Sequence, residues 1–301
     1  MIKLFNNSRQ QFGTFVAVSS TLILAFAWPL FQLAEFAVSS TLFSYIILIP
    51  VVSLYIVWTK GGPPVPSSRP NRNFSYILSI AGLAVLAAFW AMVLTGAKLK
   101  TEDSLALTTL SFVLFFWGIC VWFIGGQNLR LAAFPMGLLI LLVPFPIFIR
   151  TWMEAALQHC SASAALLLFR LTGTPVFYND LTFQLSDITL EVAPECSGIH
   201  STVALFITSL IAGHFFLRSN WKRAALTLVV LPLAILRNGF RVFTIGELCV
   251  HIGPEMIDSK IHHKGGPIFF ILSLVPFLIF LIFLVKSEPP ASVLNSVSNE
   301  A

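Results

Sequence analysis

Three side chains far apart in this chain are of the types that acyl transfer requires. Cys196 stands in Ala193-Pro194-Glu195-Cys196-Ser197-Gly198-Ile199, directly before a long apolar run. At the start of a helix, free backbone N–H groups and the positive end of the helix dipole favour a thiolate, the nucleophilic form of cysteine. Gly198 would let a substrate backbone approach closely. Arg241 lies in Leu236-Arg237-Asn238-Gly239-Phe240-Arg241-Val242, inside another apolar run. An arginine at the centre of a membrane helix costs roughly 2.5–3.5 kcal/mol on insertion scales, so Arg237 and Arg241, one turn apart, need a partner or a wet cavity. His262 and His263 precede Lys264-Gly265-Gly266-Pro267. A neutral imidazole can take a thiol proton and return one to a leaving amine. Nucleophile, fixed cation and base together match the roles of acyl transfer.

The elements that must position these groups are membrane spans. Of 301 residues, 57% are hydrophobic and only 10% charged, with a mean hydropathy of +0.87. That is more apolar surface than one soluble core can hide, and it implies a polytopic all-α membrane protein. About eight runs are long enough to cross the hydrocarbon. They are Thr14–Leu33, Ser39–Trp58, Phe74–Gly96, Leu105–Gly126, Leu131–Ile149, Ser197–Leu217, Ala224–Gly246 and Pro267–Val285. Ala25-Phe26-Ala27 has the pattern of a signal-peptidase site, but apolar residues continue past it and an uncleaved first span is expected. The pI near 9.2 follows from basic loops facing an anionic leaflet and calls for no nucleic acid.

Charge sets an expected orientation. The Lys60–Arg72 and Arg218–Arg223 connections each carry three basic residues and no acid, so both are placed inside, with a cytoplasmic N-terminus. The outer starts of the sixth and eighth spans and the outer half of the seventh then bring Cys196, His262 and Arg241 to one extracytoplasmic face. The largest segment on that face, residues 150–196, is read as a helix in the interface or partly re-entrant. Its Met153, Leu157, Cys160, Ala164 and Leu168 oppose Glu154, Gln158 and Ser161. Gly173 and Pro175 stop the helix. Two alternating runs, Leu181–Leu185 and Ile188–Val192, joined by Ser186-Asp187, then form a β-hairpin that leads to Cys196 and can offer its edge to an extended peptide. Residues 1–286 read as one integral-membrane domain. The basic, Pro-rich Gly61–Arg72 loop and a polar cytoplasmic tail, 287–301, read as connectors.

The four cysteines, Cys120, Cys160, Cys196 and Cys249, form no C-x-x-C pair and no disulfide framework, and Cys120 is expected in contact with lipid or packed. Cys249, His251, His262 and His263 lack any standard zinc spacing, and no metal or cofactor is expected. His159, His200, His214 and His251 read as interfacial or packed. Two other classes fit part of the pattern. A transporter could line an anion path with Arg237 and Arg241, and an envelope-assembly scaffold would need none of the three groups.

From Pro144 onward the chain resembles the exosortase/archaeosortase family of membrane cysteine transpeptidases. The residues that carry the resemblance are Pro144-Phe145-Pro146, Gly173-Thr174-Pro175, Val192–Ile199 with Cys196, Asn238-Gly239-Phe240-Arg241, and His262 with Gly266 and Phe269-Phe270. It implies Cys196 as nucleophile, Arg241 as the arginine of a triad and His262, four residues before Gly266, as its histidine. His263 stands one register away, and Pro267 occupies a position where the family often has tryptophan. Ser197, Gly198, Asn238 and Arg237 are implied as supporting residues. The implied partners are exported proteins with a PEP-CTERM-like C-terminal sorting signal, namely a Pro-Glu-Pro-like motif, a membrane helix and a basic end. A thioester intermediate and transfer to an acceptor amine follow from the same resemblance. The implied location is the inner membrane of a Gram-negative-type bacterium.

Overall fold

The computed structural model describes residues 2–59, 71–186, 188–194, 197–258 and 265–288, with side chains except those of 2–9, 125–128, 130, 131 and 258. Most of the Gly61–Arg72 loop and of the 287–301 tail lies outside the described residues. Among the latter, five helices are long and apolar enough to cross a membrane, or up to seven if each of two bent pairs counts as one span. One further apolar helix, Ser44–Thr59, is shorter. The chain is therefore an all-α polytopic membrane protein, with five to seven candidate spans in place of the eight expected.

Prolines account for the difference. A proline inside a helix removes one N–H, and its ring collides with the carbonyl four residues back. Helix α1 (Ile2–Ala25) ends at the carbonyl that Pro29 would strike, and α2 (Ala27–Ser39) leaves at 68°, so the expected Thr14–Leu33 span is broken. Pro50 stands four residues after Ile47's neighbour Ile46, and there a 3₁₀ turn, Ser44–Ile47, precedes α3 (Leu48–Thr59). Pro144 and Pro146 fall in the break before α6 (Ile147–Thr172). The seventh span is also interrupted: α8 (Asn220–Leu228) ends four residues before Pro232, and α9 (Val230–His251) follows.

The contacts divide the chain into two compact units, Met1–Arg150 and Thr151–Ala301. In the first, α4 (Arg72–Leu94) packs on α5 (Thr101–Leu138) through small residues. Ser75 Oγ donates to Gly118 O at 2.8 Å and Ser111 Oγ to Gly82 O at 2.9 Å. Small residues that let backbones approach and hydroxyls that bond across are what join helices in lipid, where apolar side chains gain nothing by leaving one hydrocarbon for another. The rest of α4 turns Ile77, Ile80, Leu83 and Trp90 outward, as a lipid-facing helix would. Helix α5 is continuous by hydrogen bonding, yet Trp117 Nε1 donates to Met136 O at 2.9 Å. A straight helix would separate those residues by roughly 28 Å, so α5 folds back on itself between them. That reversal corresponds to the expected junction of the fourth and fifth spans. Cys120 is packed, beside Ile124 and Ala132. At the start of α6, Asp103 Oδ1 accepts from Ile147 N at 2.9 Å and Glu102 pairs with Arg150 at 3.0 Å.

The second unit holds α6 from Thr151, a three-stranded antiparallel sheet, and helices α7 (Ile199–Phe216), α8, α9 and α10 (Gly266–Lys286). Helix α6 stops as expected: Gly173 has φ +76°, its N–H bonds Arg170 O, and Thr174 N–H reaches back to Phe169 O. The expected hairpin is present as β2 (Thr182–Gln184) and β3 (Thr189–Glu191), and an unforeseen strand, β1 (Phe177–Asn179), pairs on the far side of β2. One sheet face, with Phe183 opposite Leu190, packs on Phe169 of α6, which in turn meets Phe243 of α9.

The buried residues of α6 come from both of the opposed sets: Leu157 from the apolar one, Gln158 and Ser161 from the polar one, together with Ala162, Ala165 and Phe169, while Cys160 is exposed. An interfacial helix in water turns its apolar side inward; a helix bounded by lipid turns its small and polar side toward protein. The contact with α9 is close. A Cβ added to Gly239 would lie 2.6 Å from Ala164 Cβ and 3.0 Å from Ser161 O, and one added to Gly246, two turns on, 2.5 Å from Phe169 Cζ. A second core joins α7, α8, α9 and α10 through Leu205, Leu226, Val230 and Phe277. Beside it Glu288 accepts from the N–H groups of Arg218 and Ser219 at 3.2 and 3.3 Å and pairs with the buried Lys222 at 3.7 Å.

Because no flexible side chain can yield at Gly239, Gly239→Val should force α6 from α9 and cost about 1–3 kcal/mol. Thermal unfolding in detergent should show a clearly lowered midpoint. The same change at Gly266, where nothing lies within 4 Å of an added Cβ, should leave it near the native value.

Candidate active site

Of the expected triad, Arg241 lies among the described residues; Cys196, His262 and His263 lie outside them, as does Glu195. What the structure places is the framework around them. Two residues after the cysteine, Gly198 is the N-cap of α7 with φ +74° and ψ 15°, a left-handed conformation that favours glycine. Its neighbour Ser197 is 1% exposed, and Ser197 N–H donates to Pro194 O at 3.0 Å, which draws together the residues flanking Glu195-Cys196.

Helix α9 meets this turn with two polar residues. Arg237 and Asn238 are 7% and 2% exposed. Arg237 Nη2 donates to Gly198 O at 3.2 Å. That carbonyl also accepts from Thr202 N at 3.0 Å, Thr202 Oγ1 at 2.8 Å and Ser201 Oγ at 3.1 Å. The glycine is required for space as well as for φ. A Cβ on it would stand 2.8 Å from Arg237 Nη2 and 3.1 Å from Asn238 Oδ1. Arg237 thus serves the backbone of the cysteine turn. A hydrogen bond from a charged donor is worth about 1.5–3 kcal/mol, which offsets part of the cost of holding the guanidinium within a span.

Arg241, one turn further along α9, is half-buried. Together with Leu190, Glu191, Val192, Val242, Ile245 and Ile257 it lines a cavity of about 40 Å³. Val192 lies four residues before Cys196, and Ile257 five before His262. The chain on each approach to the two undescribed residues therefore reaches Arg241. Glu247, further along α9, accepts from Thr174 Oγ1 and pairs with His251 Nε2 at 3.0 Å. Among the described residues no group of three His, Cys, Asp or Glu side chains could hold a metal ion.

Two contributors are not apparent from the motifs. Gln158, which the sequence sets with Glu154 and Ser161 opposite the apolar residues of α6, is buried and donates from Nε2 to Val192 O at 2.8 Å. Gly246 admits Phe169 beneath the sheet. The available signal was the small and polar stripe of α6 facing glycines spaced seven apart on α9. His159, by contrast, pairs with Asp180 at 3.2 Å on the surface.

Gly198→Ala should be destabilising by more than the roughly 1 kcal/mol usual for alanine at φ > 0, since the new methyl also displaces Arg237. A lowered midpoint of thermal unfolding is expected, and the double variant Gly198→Ala with Arg237→Ala should lose less than the sum of the two single losses, because the methyl and the guanidinium compete for one space.

No curated protein and no solved structure matches the chain. The family model described as "Transmembrane exosortase" matches residues 37–279, which takes in α3 to α9, the sheet, the first two thirds of α10 and every residue of the candidate site. The chain belongs to the transmembrane exosortase family.

Proposed function

We propose that this protein is a membrane-embedded cysteine protease and transpeptidase that cleaves the C-terminal sorting signal of exported proteins. The observation that carries the reading is the cavity where Arg241 meets Leu190–Val192, the strand leading to Cys196, and Ile257, on the segment leading to His262. The Cys196 thiolate attacks the carbonyl of the scissile peptide bond. Backbone N–H groups at the start of α7 favour the thiolate, and Arg241 stabilises the oxyanion. His262 takes the thiol proton and gives it to the leaving amine as the C–N bond breaks, which leaves a thioester. An acceptor amine or water then attacks that thioester and regenerates the thiol. The signal is PEP-CTERM-like and ends in a membrane helix, so the scissile bond lies where an exported domain meets its anchor. The site faces the extracytoplasmic side of a bacterial inner membrane, in agreement with the basic inner loops.

The substrate reaches the cysteine along β3. This is an edge strand of the sheet. Leu185 N–H bonds Ile188 O and Val192 N–H bonds Leu181 O, so alternation turns the backbone of Thr189 and Glu191 away from β2. Both residues are exposed. An extended sorting motif can add there as a further strand, with its next residues directed toward Cys196.

Co-expression with a tagged sorting-signal substrate tests the reaction. Cys196→Ala should abolish processing, seen as loss of the gel shift and of the new terminus by mass spectrometry. Processing that continues at the native rate would favour transport or a scaffold role.

Thr189→Pro removes an outward N–H and no bond of the β2–β3 ladder. It should raise KM about tenfold or more while the protein still inserts and unfolds at its native midpoint. An unchanged KM would exclude strand addition.

A further inference from the structure

Gln158 carries its amide into the protein to the backbone where the chain leaves the sheet. It is 7% exposed, on α6, and its Nε2 donates to Val192 O at 2.8 Å. Val192 is the last residue of the sheet region, since its own N–H completes the ladder with Leu181 O. At the start of α7, six residues on, the carbonyl of Gly198 is taken by Arg237 from α9. Two charged or amide side chains from two helices thus hold the first and last carbonyls of the seven-residue stretch that carries Cys196.

The two helices are themselves in fixed register. The close approach of Gly239 to Ser161 and Ala164 leaves no room for sliding, and Ser161 is one turn from Gln158 on α6, as Gly239 is beside Arg237 on α9. A buried amide that only needed satisfaction could have bonded within its own helix. Instead it reaches 34 residues along the chain to the strand exit. Arg241 lines the cavity on the same Leu190–Val192 segment. The bond from Gln158 therefore sets the distance between that segment and the guanidinium.

We propose that Gln158 is a positioning residue for the reaction: by holding Val192 O it fixes the cysteine segment relative to Arg241, and acts on catalysis through that backbone. The proposal rests on the reading of Cys196 as nucleophile. Misplacing a reacting group by about 1 Å can cost on the order of a hundredfold in rate, so loss of this one bond should appear in kcat more than in KM.

The test uses the full-length protein in detergent micelles or proteoliposomes with a sorting-signal peptide, comparing wild type, Gln158→Met, Gln158→Glu and Cys196→Ala. Gln158→Met keeps length and loses the donor; kcat should fall at least about tenfold, with KM changed less than about twofold. Gln158→Glu keeps the shape and can donate only when its carboxyl is protonated. Its activity relative to wild type should therefore rise as pH falls through the carboxyl's pKa, and the Gln158→Met ratio should stay flat. An unchanged kcat in Gln158→Met, a loss confined to KM, or a Gln158→Glu ratio independent of pH would overturn the proposal. Cys196→Ala separates the two readings: if it processes substrate normally the nucleophile assignment falls, whereas an inactive Cys196→Ala beside a fully active Gln158→Met removes the role of Gln158 alone.

Discussion

The contact of α6 with α9 at Gly239 and Gly246 is the constraint on which the second unit depends. Apolar helices surrounded by lipid gain no hydrophobic energy by touching, so their relative height and rotation are set by surfaces close enough for dispersion and hydrogen bonding. Here the backbone of α9 lies almost on that of α6. Gly239 sits between Arg237 and Arg241, so one contact fixes the level of both guanidinium groups. Through Phe169, the same helix pair supports the sheet that delivers the chain to Cys196.

Polar side chains inside this unit gather at the ends of regular elements. Arg237 donates to Gly198 O, Gln158 to Val192 O, and Glu247 accepts from the hydroxyls of Thr172, the last residue of α6, and Thr174. An unsatisfied carbonyl in hydrocarbon costs several kcal/mol, so irregular chain at membrane depth persists only where protein groups meet it. The two arginines of α9 thereby differ in kind: one braces a turn, and the other faces a cavity.

Much of the architecture is legible from hydropathy because every apolar run became a helix, and the hairpin before Cys196 follows from its alternation. The span boundaries were less legible. Pro29, Pro50 and Pro146 interrupt runs whose composition alone looks continuous, and a proline acts on a carbonyl four residues away that no window average registers. Which side of α6 packs on protein is not legible for a related reason. Its periodicity is clear, but periodicity does not say whether water or lipid lies outside, and the two media reverse which side is buried. The motif around Cys196 and the Asn238–Arg241 segment mark the candidate site in sequence; the bond from Gln158 to Val192 could not be found there, because 34 residues separate them and Gln158 belongs to no motif.

The carbonyl of Gly198 has a consequence for solvent. An sp² oxygen has two lone pairs, and this one faces four donors: the N–H of Thr202, two hydroxyls and a guanidinium. No capacity remains for a water molecule to donate to it. At the start of α7 this residue therefore offers no open acceptor, and its carbonyl is closed to any arriving hydrogen-bond donor.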